Sequence, residues 1–345
     1  MIRIAFFDTK PYDIPSFEQF GKDRDIEFKF YDNKLNEDTA SLAAGFDGVC
    51  IFVNDIVNKE VINKLYELGI RLIVLRCAGF NNVDVKAAFG KIHVYRVPAY
   101  SPYAVAEHAI SMLLTMNRRI HKAYIRTREY NFSLNGLTGV DLHDKTIGVV
   151  GTGKIGQIFI NICKGFGMHV IAYDKFPNPN LDIEYVSLED LFKRSDFISL
   201  HCPLTSENTH MINYETMETM KKGVGIINTS RGALINAEDL LTQIKARKVG
   251  FACLDVYEKE SDVFFQDKSG HILDDDILRS LIAMPNVLIT SHQAFLTEEA
   301  LVNIADTTTN NILSYFNNVA DNNNEVCYQC SKIENCKKKR GDKCF

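Results

Sequence analysis

Long apolar runs are absent: no stretch of the 345 residues is long and hydrophobic enough to span a bilayer. The opening residues, MIRIAFFDTK, lack the layout of a secretory signal, so a cytoplasmic protein is expected. An excess of one charge is also missing. The 39 Lys and Arg against 44 Asp and Glu leave a formal net charge of −5, which gives no reason to expect nucleic acid or an anionic membrane as a partner. No fixed-period repeat or low-complexity tract interrupts the chain, which argues against a solenoid or an array. What remains is an ordinary globular balance, 46% hydrophobic and 24% charged, at a length that exceeds one usual domain. Two domains are the natural expectation.

Nine cysteines are unevenly placed. Cys50, Cys77, Cys163, Cys202 and Cys253 stand singly in apolar stretches and read as reduced core residues. Cys327, Cys330, Cys336 and Cys344 crowd the last nineteen residues, CYQCSKIENCKKKRGDKCF. Four thiols at such spacings can make a zinc or iron–sulfur site. They can equally be incidental to a basic, flexible extension, and both readings stay open; no other metal is expected. The KKKR run reads as solvated charge.

Short β-rich apolar runs alternate with helical patterns. Candidate strands are IRIAFF, GVCIFV, RLIVLR, HVYRV, TIGVVG, HVIAYD, FISLHC, GVGIINT, GFACLDV and VLIT. Near-continuous apolar strands separated by helices predict parallel sheets covered on both faces. A boundary is expected near VPAYSP, before one long helix over YAVAEHAISMLLTMNRRIHKAYIRTR. A second crossing is expected after His292, where TEEALVNIADTTTNNILSYF reads as an amphipathic helix.

The most specific stretch is TIGVVGTGKIGQIFINICKGFG. Gly151, Gly153 and Gly156 form GxGxxG directly after a strand and open a helix with an apolar face. Such glycines permit a tight turn and let the backbone approach a pyrophosphate at the helix N-terminus. The next strand ends on Asp174, eighteen residues beyond Gly156, where an acid accepts ribose hydroxyls and repels a 2′-phosphate. NAD rather than NADP is the expected cofactor.

Three later strand ends carry polar residues that a buried core does not need: Arg231, then Asp255 and Glu260, then His292. Singly, each reads as a surface salt bridge or a cap. Together they suit a 2-oxo acid, whose carboxylate an Arg can hold bidentately and whose carbonyl needs a proton as hydride arrives. A carboxylate beside the histidine would fix its tautomer and favour the charged form.

At RCAGFNNVD, VPAYSPYAVAEHA, NRRIHKAY, FSLNGLTG, VVGTGKIGQ, SLHCPLT, NTSRGAL, LDVYEKE and SHQAFLT the chain resembles the D-isomer-specific 2-hydroxyacid dehydrogenases, over residues 1 to about 326. Within that family it looks most like the fermentative NAD-dependent D-lactate dehydrogenases. The resemblance implies that Arg231 binds the substrate carboxylate, Glu260 pairs with His292, and His292 is the acid/base. It implies that Ala78 and Gly79 offer N–H groups to the carboxylate, with Tyr100 nearby. It implies a cofactor lined by Lys154, Ile155, His201, Cys202, Pro203, Thr229, Ser230 and Asp255 as well as the glycines and Asp174.

The implied architecture is two Rossmann-like, doubly wound α/β domains. A discontinuous substrate domain would take 1–99 and 294–326, an NAD-binding domain 100–293, and a Cys/Lys-rich tail 327–345. The implied activity is reversible reduction of pyruvate to D-lactate by a homo-oligomer, a dimer or tetramer. The alternatives are a dehydrogenase for a bulkier 2-oxo acid and an NAD-sensing binding protein on the same fold.

Overall fold

The computed structural model describes residues 1–260, 263–319 and 324–328. The chain divides into two units, after Ser101 and again after Phe295, so that unit 1 is discontinuous and unit 2 is the continuous insert. These divisions lie two residues beyond the expected ones.

Unit 1 begins with β1 (Ile2–Phe6), β2 (Ile26–Phe30), β3 (Gly48–Ile51), β4 (Leu72–Leu75) and β5 (His93–Tyr95). Unit 2 holds β6 (Thr146–Val150), β7 (His169–Tyr173), β8 (Glu184–Tyr185), β9 (Phe197–Leu200), β10 (Val224–Asn228), β11 (Val249–Leu254) and β12 (Val287–Ile289). The chain then returns to unit 1 with β13 (Glu325–Val326).

The unit 1 sheet runs β13-β5-β4-β3-β1-β2 and the unit 2 sheet β12-β11-β10-β9-β6-β7-β8. All pairs are parallel except β13 on β5. Both sheets are doubly wound, as expected. Their strand order reverses between β1 and β3 in unit 1 and between β6 and β9 in unit 2. At such a switch point two neighbouring loops diverge beyond the carboxyl ends of the strands and leave a crevice. Central strands β3, β4, β9 and β10 are buried at every residue, because helices cover both faces.

The single long helix expected after VPAYSP is two helices. Pro102–Asn117 is mostly buried, while Ile120–Arg128 buries no residue. The break lies at Arg119, whose φ of +55° is left-handed. There the Asn117 side chain donates to Val140 O (2.7 Å) and accepts from Val140 N (3.1 Å), tying the helix end to a later loop. The helix after His292 spans Glu298–Phe316, with the Thr297 side chain capping Ala300 N.

Cys330, Cys336 and Cys344 lie outside the described residues. Cys327 does not belong to a separate tail: it is buried, as is Val326 beside it, and the Tyr328 ring packs edge-on against Phe89 at 4.9 Å. Glu325 is buried too, with its Oε1 2.6 Å from the ring Nδ1 of His93. A chain ended at Glu325 lacks two side chains that a chain ended at Tyr328 buries, on the order of 3 kcal/mol, and should melt several degrees below it. Calorimetry of the two chains checks this; equal melting temperatures would show that the last strand adds nothing.

Candidate active site

The crevice of unit 2 opens where β6 and β9 diverge. Gly151 ends β6 with φ +96°, and a Cβ there would stand 2.7 Å from Cys202 N. A Cβ on Gly156 would stand 2.0 Å from Gly151 O, so the helix Lys154–Gly165 can start this close to the turn only with glycine at that position. Gly153 is the N-cap and has open space where its Cβ would be, leaving the first N–H groups of the helix accessible to an anion. Lys154 and Ile155 form the first turn.

A cleft of about 580 Å³ lies here, lined by Gly151, Gly153, Asp174, His201, Cys202 and Pro203 among others. Asp174 is held from both sides. Its Oδ2 accepts from Thr152 N (2.6 Å) and Thr152 Oγ1 (3.0 Å), and its Oδ1 from Phe176 N (2.8 Å). The Tyr185 hydroxyl lies 2.9 Å from Thr152 Oγ1. Thr152 and Tyr185 were not expected; Thr152 is the variable residue between two glycines, and nothing in the motif marks it.

His201 stacks at a tilt on Phe159, and its Nε2 lies 2.9 Å from Ser199 Oγ. Burial pushes its pKa down to about 3, so the ring is neutral near pH 7. Burial also pushes the Cys202 thiol up to about 11, which keeps it protonated. Ser230 Oγ donates to Cys202 O at 2.5 Å. His201 Nδ1 and Thr229 Oγ1 are buried with no hydrogen-bond partner among the described residues. Orphan polar atoms beside a glycine turn, an open helix N-terminus and an oriented acid fit a dinucleotide that would satisfy them.

At the ends of β10, β11 and β12 the catalytic candidates come together in part. Arg231 donates from Nη1 to Ser230 O (2.7 Å), and Asn228 Nδ2 holds Arg231 O (2.9 Å). Among the described residues the Arg231 guanidinium has no carboxylate within ion-pair distance. His292 and Glu260 are paired, Nδ1 to Oε1 at 2.8 Å, and Glu260 Oε2 accepts from Tyr257 N (3.0 Å). The other imidazole nitrogen, Nε2, has no protein partner among the described residues.

Asp255 has a place that the sequence did not show. Its side chain is fully buried beneath the turn that carries His292, with both oxygens engaged. Oδ1 accepts from Thr290 Oγ1 (2.5 Å) and Gln293 N (2.9 Å), with His108 Nε2 at 3.4 Å; Oδ2 accepts from Ala294 N (2.9 Å). Its carbonyl accepts from His292 N (2.7 Å). Burial raises the pKa of Asp255, but these donors outweigh it and hold the carboxyl below the ordinary range. Thr290 and His108 are further residues that sequence reasoning missed.

In unit 1, Ala78 and Gly79 follow β4. Neither backbone N–H donates to a protein acceptor among the described residues. The Tyr100 carbonyl accepts from Asn303 Nδ2 (2.7 Å) on the Glu298–Phe316 helix.

The depressed basicity of His201 has a consequence for stability. In the unfolded chain its pKa returns to about 6.5. As pH falls from 6.5 toward 3 the unfolded chain gains a proton that the fold does not, so this stability is complete above 6.5 and is lost below it. The slope is at most about 1.4 kcal/mol per pH unit. The Asp255 contribution has the acid-side sign too, but it is complete above an ordinary carboxylate pKa of 3.8 and falls away only below it. Between pH 6.5 and 4.5, urea unfolding of His201→Gln should therefore lose less stability than wild type. Parallel curves would mean that the ring is protonated in the fold.

Residues 110–294 match the family model of the D-isomer specific 2-hydroxyacid dehydrogenase, NAD binding domain. The D-lactate dehydrogenase of Escherichia coli (strain K12) is 52% identical over 316 residues, 90% of this chain and 96% of that protein. The apo-structure of D-lactate dehydrogenase from Escherichia coli superposes with a TM-score of 0.87 at 48% identity, covering 94% of this chain and 100% of the other. A solved D-2-hydroxyisocaproate dehydrogenase is similar at a TM-score of 0.84 and 34% identity, over 94% and 99% of the two chains. With the dinucleotide crevice and the Arg231, Glu260 and His292 set in place, these likenesses make the chain a member of the D-isomer specific 2-hydroxyacid dehydrogenase family, with an NAD-binding domain within unit 2.

Proposed function

We propose that the protein is an NAD-dependent D-lactate dehydrogenase, which reduces pyruvate reversibly to D-lactate. The observation that carries this reading is the His292–Glu260 pair, whose Nε2 has no partner among the described residues, at the same end of the unit 2 sheet as Arg231, which has no carboxylate within ion-pair distance among them. The high identity to a D-lactate dehydrogenase supports pyruvate over a bulkier 2-oxo acid. In this reading unit 1 is the substrate domain and unit 2 the cofactor domain.

The nicotinamide cofactor, when bound, supplies or accepts the hydride. Asp174, fixed by Thr152, would take the ribose hydroxyls and exclude a 2′-phosphate. Arg231 holds the substrate carboxylate with its planar fork. Within unit 1, Ala78 and Gly79 carry N–H groups that have no acceptor among the described residues and suit a carboxylate. Because a carboxylate accepts at Nδ1, the Nδ1–H tautomer of His292 is selected and Nε2 faces the reaction. Protonated Nε2 gives its proton to the carbonyl oxygen during reduction; neutral Nε2 takes it back during oxidation. Glu260 holds the ring in one orientation through its contact at Nδ1.

Steady-state assays with a panel of 2-oxo acids test this directly. Pyruvate with NADH should give the highest kcat/KM, and NADPH should be poor until Asp174→Ser removes the repelling charge. His292→Gln should lose roughly 100- to 10,000-fold in kcat and keep NADH affinity. Preference for 2-oxoisocaproate would favour the bulkier-substrate reading, and no turnover of any acid would favour a sensor.

We also infer a homo-oligomer. The helix Ile120–Arg128 buries nothing, and Tyr124, Ile125, Tyr130, Phe132 and Leu134 are exposed along it and the loop that follows. So much clustered apolar surface marks an interface. Light scattering should give a multiple of 39.1 kDa, and Phe132→Glu with Leu134→Glu should reduce it; a monomeric wild type would refute the inference. We also place it in the cytoplasm, where Cys50, Cys163 and Cys253 serve as buried core thiols. No described helix is long and apolar enough to cross a membrane.

A further inference from the structure

Two successive N–H groups without acceptors, at Ala78 and Gly79, make a donor pair only if something holds the loop in place. The structure shows what does. Arg96 Nη1 donates to Ala78 O at 2.8 Å, and the Arg96 guanidinium lies over the Phe80 ring, 5.3 Å from its centre. The Cys77 thiol donates to Gly79 O at 3.3 Å. No cis peptide occurs among the described residues, so a carbonyl and the N–H across its peptide bond point in opposite directions. With Ala78 O turned onto Arg96, the Gly79 N–H is turned away from it.

Arg96 is itself tied down. Its backbone N donates to Asn324 O (2.9 Å), and its carbonyl accepts from Asn311 Nδ2 (3.1 Å). Asn324 Nδ2 then donates to Asn311 Oδ1 (2.9 Å). The residue thus links the last described strand, β13, and the helix Glu298–Phe316 to the loop after β4. Among the described residues its guanidinium has no carboxylate within ion-pair distance, and its Nε has no hydrogen-bond partner although buried. A structural arginine in unit 1 looks different: Arg76 pairs with Asp13 (Nε to Oδ2, 3.2 Å) and with two carbonyls. The Arg96 charge instead sits on the carbonyl side of the Ala78–Gly79 peptide, where it adds to the pull of the opposite N–H on an anion.

We propose that Arg96 is a positioning residue for the substrate carboxylate: it orients the Ala78–Gly79 peptide so that its N–H is available and supplies an uncompensated positive charge behind it. This rests on the reading of Ala78 and Gly79 as carboxylate donors. Because the carboxylate is held alike before and during reaction, loss of Arg96 should weaken binding more than chemistry.

The test is Arg96→Met and Arg96→Lys in the full-length chain, assayed with pyruvate at saturating NADH, alongside melting temperature and NADH affinity by fluorescence. Arg96→Met should raise the pyruvate KM at least tenfold, change kcat by no more than about threefold and leave NADH affinity unchanged. Arg96→Lys, which keeps charge and a donor, should fall between. A mere packing role would lower the melting temperature without this KM-against-kcat split. An unchanged KM in a folded variant, or a fall in kcat alone, overturns the proposal. If Arg96→Met does not fold, Arg96→Lys decides it by the same KM comparison, a wild-type KM counting against. If wild type does not reduce pyruvate, the functional reading fails by itself, and the comparison is made with whichever 2-oxo acid is turned over, since all share the carboxylate.

Discussion

The Asp255 carboxylate is the interaction on which the turn carrying His292 in unit 2 depends. His292 has a φ of +54°, a left-handed conformation that costs a residue with a Cβ about 1–2 kcal/mol. Such a turn persists only where its surroundings over-determine it. Here one buried carboxylate takes the N–H groups of Gln293 and Ala294 and the hydroxyl of Thr290, while the carbonyl of the same residue takes the N–H of His292. Four donors on both sides of His292 are thereby fixed to the end of one strand. Charge-assisted bonds away from water are strong, and losing the acceptor would orphan several donors at once. The imidazole meets Glu260 because its backbone has little freedom to do otherwise.

Unit 1 solves a similar problem with cations. Arg76 is fully buried between the rings of Phe6 and Phe52, and its donors reach Asp13, Phe7 O and Asp8 O. It joins the end of β4 to the end of β1, and so holds the base from which the Ala78–Gly79 loop departs. Arg96 then sets the orientation of the loop itself. In both units the loops at the carboxyl ends of parallel strands are shaped by buried ionic groups. A loop beyond the end of its strand has few ladder neighbours to pair its backbone, and a multidentate side chain supplies them.

This pattern also explains what could be read from the sequence. All ten strands legible as apolar runs are present, and most of them lie inside the sheets. The three that escaped notice, β2, β8 and β13, are sheet edges. In Ile26–Phe30 only Ile26 is buried, exposed residues alternate with the partly buried Phe28 and Phe30, and the other two strands are two residues long. Half-solvated or minimal strands leave no continuous apolar run to recognise. The break at Arg119 was invisible for a different reason: its determinant is the Asn117–Val140 pairing, a contact across 23 residues, and no Pro or Gly signals it. The glycine turn, Asp174, Arg231, Glu260 and His292 could be singled out as candidates because a nicotinamide cofactor and a 2-oxo acid call for particular residue types at particular strand ends. Thr152 on Asp174, His108 and Thr290 on Asp255, and Arg96 on Ala78 act through contacts distant in sequence, and no spacing rule exposes those.

Asp255 and Asp174 show how far residue type alone can be trusted. Both are acids that end a strand of the same sheet, and both were expected beside the cofactor. Asp174 borders the cleft and keeps its carboxylate oriented there by Thr152. Asp255 is fully buried, with its oxygens turned into the following loop. The difference lies in which neighbours lack acceptors. Beyond β7, Thr152 and Phe176 engage both oxygens of Asp174 and leave the side chain on the wall of the cleft. Beyond β11 the loop after β12 brings three donors to a single side chain and saturates it. An acid at a strand end is therefore free for a ligand only in proportion to the backbone donors that its own fold leaves satisfied elsewhere.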